Sequence, residues 1–167
     1  RETKGRFFIV HLASPGGLDL LTGAMKEGLD IRPETCADYL LFSEEVLKRD
    51  DGIKWICSPP LRDAEAMDVL WQGVADGRIR MVTSDDAAYS WEAKLYGAKR
   101  FDLCPNGIPG IESRLSLLYS EGVAKGRLSL PRFVELVAAT PALLFGPGDV
   151  RQSHRPDEYV PLEDLIA

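Results

Sequence analysis

The stretch RFFIVHLAS, residues 6–14, predicts a buried β-strand that ends at His11 and opens the fold. It is a run of β-forming residues with charge before it and Ser-Pro-Gly-Gly after it. Ser14 and Pro15 then predict the start of a helix, because serine caps helix N-termini and proline fits the first helical position. Gly28 is expected to end that helix.

The same strand–helix pattern continues along the chain. LDIRPETC (29–36) predicts a second strand, IKWICSPP (53–60) an extended piece broken by two prolines, and RIRMVTSDD (78–86) a third full strand. Short and amphipathic helices are expected from Ser43 and over 63–75, with a Gly- and Pro-rich loop after the third strand. This alternation predicts an α/β fold with a parallel sheet.

The rest of the chain is predicted as helices followed by a tail. Helices are expected over 111–122, 130–139 and 141–145, and a polar tail over 147–167. The chain therefore divides into one unit over 1–146 and a divergent tail over 147–167.

Composition excludes several classes of protein. The chain has 167 residues, a net charge of −6 and interspersed acids and bases, so no basic face for nucleic acid is expected. No apolar run approaches the roughly 20 residues that span a bilayer. The three cysteines are odd in number and widely spaced, which favours neither a disulfide framework nor a zinc knuckle. We therefore expect a reducing, cytoplasmic location.

Polar residues follow each predicted strand. His11 follows the first strand, Glu34 and Thr35 end the second, and Asp85 and Asp86 end the third. In a βα barrel the chemistry lies at the C-terminal ends of the strands, and His and Asp there are good metal ligands. Each residue alone also fits an ordinary explanation: a hydrogen-bonded core histidine, or a loop that begins with two acids. Two adjacent carboxylates at a buried strand exit would repel each other and lose hydration.

Several segments together are more specific. His11 at a strand end is followed by ETC.DYLL (34–41), CSPPLRD (57–63), TSDD (83–86) and PNGIPGIESRLSLLYSEGVAKGRLS (105–129). This order resembles dihydropyrimidinases and D-hydantoinases of the amidohydrolase superfamily, over about residues 7–146. The NGIPGIE and CSPPLR segments are the most characteristic of that group.

The resemblance implies a (β/α)₈ TIM-like barrel with two zinc ions at its C-terminal face. In enzymes of that family, a hydroxide that bridges the metals attacks the carbonyl of a cyclic amide, such as a hydantoin or dihydropyrimidine ring, and the C–N bond is hydrolysed. The metals lower the pKa of water and polarise the carbonyl, and a carboxylate shuttles the proton. By its motifs this chain matches about strands six to eight with their helices, so the barrel must be completed by another segment or chain.

Site residues carry over by motif only. His11 matches the last histidine ligand, on the sixth barrel strand. Asp85 matches the eighth-strand aspartate, which is both metal ligand and general base. Ser58 and Asn106 match positions whose backbone groups bind the ring amide of the substrate.

The chain also departs from the family pattern. Asp86 stands where relatives carry histidine, which we expect to alter charge balance, metal affinity or substrate preference. Only His11 and His154 are present, without a His-x-His pair, so this chain supplies only part of the binuclear site. We expect the N-terminal half of the barrel on another chain or segment, and a homo-oligomer, since relatives are usually tetramers. The alternatives are a non-catalytic scaffold, like the collapsin response mediator proteins, and a degenerate remnant.

Overall fold

A three-stranded parallel sheet organises the protein. The computed structural model describes residues 5–141, without the side chain of Phe101. Strands β1 (Phe7–Ile9), β2 (Ile31–Cys36) and β3 (Met81–Thr83) lie in the order β1-β2-β3, with β2 in the centre. Both pairings are parallel, which confirms the predicted α/β fold with a parallel sheet. His154, the 147–167 tail and all but the first residue of the helix predicted over 141–145 lie outside the described residues.

Helices connect and cover the strands. The α-helical segments are α1 (Pro15–Lys26), α2 (Ala37–Leu41), α3 (Ala64–Asp76), α4 (Trp91–Leu95), α5 (Arg114–Leu118) and α6 (Leu130–Val134). The last two continue as π-helical turns over Tyr119–Ala124 and Glu135–Ala139, and short 3₁₀ helices cover Glu44–Lys48, Gly52–Trp55 and Phe101–Leu103. Of the helices described, none is long and apolar enough to cross a membrane.

Helix α1 begins and ends as its sequence predicts. The Ser14 hydroxyl accepts a hydrogen bond from the Gly17 N–H at 3.2 Å, and Pro15 occupies the first turn. Such a cap satisfies a backbone donor that the helix itself leaves unpaired. Gly28 follows the helix with φ +85°, a conformation that residues with a Cβ rarely adopt. The chain can therefore turn back towards β2.

Helix α3 closes the core. The Asp63 carboxylate caps it through the Ala66 N–H at 2.8 Å, and the face that includes Leu70, Trp71 and Val74 is buried. The Trp71 indole donates to the Leu40 carbonyl at 2.8 Å, so the buried ring keeps a polar partner. The core thus lies between the sheet and α3, with further apolar side chains from α1 and α2.

The structure corrects four local predictions. Strand β1 stops at Ile9 and lies at the sheet edge with Phe7 47% exposed, so the predicted burial is wrong for its first residue. Residues 52–55 form a 3₁₀ helix, and the chain is extended only from Ile56. The predicted loop after β3 contains α4, which Ser90 caps through the Ala93 N–H. The helix predicted from residue 111 begins at Arg114.

Candidate functional site

His11 and Asp85 occupy equivalent places at the C-terminal edge of the sheet. Each lies two residues beyond an outer strand, His11 after β1 and Asp85 after β3. Their φ angles are +42° and +46°, and within residues 5–141 they are the non-glycine residues with positive φ. This conformation costs roughly 1–2 kcal/mol for an L-residue, and such strain concentrates at functional sites. The two predicted metal ligands therefore share a strained backbone conformation.

A buried carboxylate joins the two outer strands. Glu34, in the central strand β2, is 5% exposed. Its Oε1 accepts hydrogen bonds from the Thr83 hydroxyl at 2.6 Å and from the His11 N–H at 3.4 Å. The Cys36 thiol donates to the same oxygen at 3.6 Å. Burial raises the pKa of Glu34, although these donors oppose the rise. Sequence reasoning placed Glu34 at the strand end but gave it no role.

The chain after β1 is held by β2. The Leu12 N–H donates to the Glu34 carbonyl at 2.9 Å, and the Thr35 hydroxyl donates to the Leu12 carbonyl at 2.7 Å. Together with the His11 N–H these bonds hold residues 11 and 12 from both sides. They stabilise the strained backbone of His11, whose side chain is half-buried.

A pocket of about 140 Å³ brings together three of the four predicted site residues. Asp85, Ser58 and Asn106 line it. The other lining residues are Cys36, Asp38, Tyr39, Cys57, Ala87, Gly107 and Ile108. The Tyr39 hydroxyl donates to the Pro59 carbonyl at 2.8 Å and so holds the turn that carries Ser58. His11 does not line this pocket.

The two adjacent acids have different surroundings. Both Asp85 and Asp86 are exposed in the described structure, so the expected loss of hydration at this strand exit is wrong for them. Asp86 Oδ1 accepts hydrogen bonds from the N–H groups of Gly110 (2.7 Å) and Ile111 (3.0 Å), which lower the pKa of Asp86. Asp86 therefore secures the loop that follows Asn106, while Asp85 faces the pocket.

A second carboxylate, which sequence reasoning missed, lines the same pocket as Asp85. Asp38 lies in the first turn of α2 and is half-buried. Burial, and then the charges of Asp85 and Asp86, raise the pKa of Asp38 to about 7. The available signal was an acid two residues beyond a buried strand, at the edge where His11 and Asp85 were already placed.

The described residues fit part of a zinc site. An imidazole and a carboxylate are donors that zinc accepts, and His11 and Asp85 provide them at one edge of the sheet. Across residues 5–141, no group of three or more His, Cys, Asp or Glu residues is arranged to hold a metal ion.

Known proteins similar to this chain are hydantoinases. A D-phenylhydantoinase of Escherichia coli O1:K1 is 47% identical over 140 residues, which are 83% of this chain and 30% of the relative. Solved structures include a D-hydantoinase (dihydropyrimidinase) from Thermus sp., 38% identical with a TM-score of 0.79, covering 81% of this chain and 30% of that one. An L-hydantoinase (dihydropyrimidinase) from Arthrobacter aurescens is 34% identical with a TM-score of 0.78, and the match covers 84% of this chain and 31% of that one. No protein-family model matches. The chain spans about a third of the length of these relatives.

Proposed function

Because the chain belongs to the dihydropyrimidinase and D-hydantoinase family, we propose that it forms part of a metal-dependent hydrolase that opens cyclic amides of the hydantoin or dihydropyrimidine type. The observation that carries the proposal is the matched pair His11 and Asp85. Both are strained, and both lie two residues beyond parallel strands that flank β2. This is the arrangement expected for two ligands of one catalytic centre at the C-terminal face of a barrel.

The proposal includes a partial (β/α)₈ barrel completed by another segment or chain. Within residues 5–141, β1 and β3 each pair with β2 on one side only. Unpaired parallel edges favour the addition of further strands. Phe7 and Val10 at the outer edge are exposed, as are the pocket residues Asp85 and Asn106. An N-terminal half of the barrel would cover these surfaces and contribute the remaining metal ligands.

Each site residue has a defined part in the proposed reaction. His11 and Asp85 would hold zinc, which when bound lowers the pKa of water and polarises the ring carbonyl. The Asp85 carboxylate takes the proton from the attacking water and passes it to the leaving ring nitrogen. The backbone groups of Ser58 and Asn106 bind the ring amide, since both residues line the pocket that contains Asp85. The free thiols of Cys36, Cys57 and Cys104 support a reducing cytoplasm.

A reconstitution experiment tests this function. The protein is expressed alone and together with the barrel residues that precede the matched region in the Escherichia coli D-phenylhydantoinase. Zinc content is measured by mass spectrometry, and ring opening of phenylhydantoin and dihydrouracil by chromatography. We expect zinc and turnover in the combined sample, and a homo-oligomer by light scattering.

Two substitutions make the test specific. Asp85→Asn should lower turnover by about 10²- to 10⁴-fold, the range that general base catalysis contributes. Asp102→Asn is the matched control, since Asp102 is an exposed acid of the Phe101–Leu103 3₁₀ helix, paired with Arg100, and it should leave turnover unchanged. Equal turnover in Asp85→Asn would remove Asp85 from the base role. A combined sample that folds but neither binds zinc nor opens the ring would instead favour a non-catalytic scaffold.

A further inference from the structure

We propose that Lys94 is a positioning residue that sets the distance between the Ser58 and Asn106 segments. The inference rests on the proposed function, which gives the backbone of these two segments the task of binding the ring amide. Lys94 itself would touch neither substrate nor metal.

Lys94 is a buried ammonium surrounded by carbonyl oxygens. It is 3% exposed, and its Nζ donates to the carbonyls of Ile56, Pro105 and Gly107, each at 2.8 Å. An ammonium group has three N–H donors, so all three are used. Burial lowers the pKa of Lys94. Among the described residues its hydrogen-bond partners are carbonyls rather than carboxylates, an arrangement that only a cation or a strong donor can stabilise.

The three carbonyls belong to the two walls of the pocket. Ile56 lies two residues before Ser58, whereas Pro105 and Gly107 flank Asn106. The Ile56 carbonyl also accepts the Gly107 N–H at 3.0 Å, so the two walls already meet at this point. Lys94 strengthens this junction from the side of α4. Losing Lys94 would remove the donor that the carbonyls of Ile56, Pro105 and Gly107 share and would let the walls separate.

Comparison with Asp86 distinguishes the role of Lys94 from general support of the Asn106 loop. Asp86 also holds the Asn106 loop, but through Gly110 and Ile111, and it does not bond to the Ser58 segment. Of the two residues, only Lys94 bonds to both walls. Its loss should therefore impair substrate binding, because the backbone groups that contact the substrate before and during the reaction would be displaced together.

The experiment compares Lys94→Met with wild type in the reconstituted hydrolase described above. Methionine keeps the length and apolar stem but has no donor. We expect KM for the cyclic amide to rise by about tenfold or more, with kcat and zinc content within about twofold. Amide hydrogen exchange should accelerate at residues 56–58 and at Asn106 and Gly107 together. Lys125→Met is the matched control, since Lys125 is an exposed lysine paired with Glu121. It should change neither KM nor the amide exchange of the two segments.

Other outcomes overturn the proposal. An unchanged KM, or faster exchange in only one of the two segments, would refute coupling through Lys94. If Lys94→Met does not fold, Lys94→Arg decides, because its planar donor fork fits three convergent carbonyls poorly. Arginine should give an intermediate rise in KM, and a wild-type KM, or a defect confined to kcat or zinc content, would refute the role. If the wild-type assembly shows no turnover, the proposed function fails. Amide hydrogen exchange in the two segments then tests by itself whether Lys94 couples them.

Discussion

Replacing Thr83 by valine tests the buried network that joins the strand ends. The Thr83 hydroxyl donates to Glu34 Oε1 at 2.6 Å, and that distance is typical of a hydrogen bond to an ionised carboxylate. Valine keeps the β-branched shape, so the strand is not disturbed. A hydrogen bond to a charged group contributes about 1.5–3 kcal/mol to stability. We expect the free energy of unfolding to fall by about 2 kcal/mol at neutral pH, since the remaining donors to Oε1 lie at 3.4 Å and 3.6 Å.

The effect of Thr83→Val should also depend on pH. Burial raises the pKa of Glu34 above its ordinary value of 4.5, so the folded protein binds more protons than the unfolded chain between these two pKa values. Stability contributed by Glu34 therefore falls as pH rises through that interval. The Thr83 hydroxyl opposes the rise of the pKa, and removing it should raise the pKa of Glu34 further. The loss of stability in Thr83→Val should be smallest near pH 4 and largest above the folded pKa.

Urea unfolding at several pH values, followed by tryptophan fluorescence, measures this dependence. Thr22→Val is the matched control, because its hydroxyl donates at 2.7 Å to the Leu18 carbonyl within α1 and not to a carboxylate. The control should lose little stability and show no added pH dependence. A loss in Thr83→Val below about 0.5 kcal/mol, or one that is equal at every pH, would contradict a charge-assisted bond to Glu34.

Two further predictions concern the acids around the pocket. Asp86→His should accelerate amide exchange at residues 110 and 111 and change metal content or substrate preference. Asp86→Asn keeps an acceptor oxygen, so exchange at these two residues should stay slow. Equal exchange in both variants would show that Asp86 does not hold this loop. Asp38→Asn should be more stable than wild type above pH 7 and equal to it near pH 4, because the pKa of Asp38 is raised from 3.8 to about 7 and stability is lost as pH rises through that window. The same difference in unfolding free energy between Asp38→Asn and wild type at both pH values would contradict a raised pKa of Asp38.

Periodicity and end signals predicted most of the fold. The cap of α1 at Ser14 is local and was predicted from Ser14 and Pro15 alone. The helix over 63–75 was expected too, whereas its cap by Asp63 is a finding of the structure. The β2 and β3 strands followed from β-forming residues, and their parallel pairing from the helices between them. The α4 helix was missed because five residues within a stretch rich in Gly and Pro carry too weak a pattern.

The site was harder to predict because its bonds join distant residues. Motif resemblance predicted Asp85, Ser58 and Asn106 as site residues, and in the structure these three line one pocket. No local pattern shows that Lys94 donates to Ile56, 38 residues away. The same holds for Asp86 and the N–H of Gly110, 24 residues away. Burial and backbone direction decide such contacts, and both arise only when the chain is folded.

The strained backbone of the two proposed ligands is stabilised by protein contacts. Around His11, the Glu34 side chain and carbonyl and the Thr35 hydroxyl bond to residues 11 and 12. Around Asp85, the Thr83 hydroxyl bonds to Glu34 on one side and Asp86 bonds to residues 110 and 111 on the other.

A positive φ at a non-glycine residue persists only where its surroundings determine it from several directions. Both positions meet this condition through bonds within the chain. Pre-organisation of this kind lets ligands bind a metal without first reorganising. In the proposed centre, the buried Glu34 would orient the two ligands through its bonds to the His11 N–H and the Thr83 hydroxyl, without touching metal or substrate.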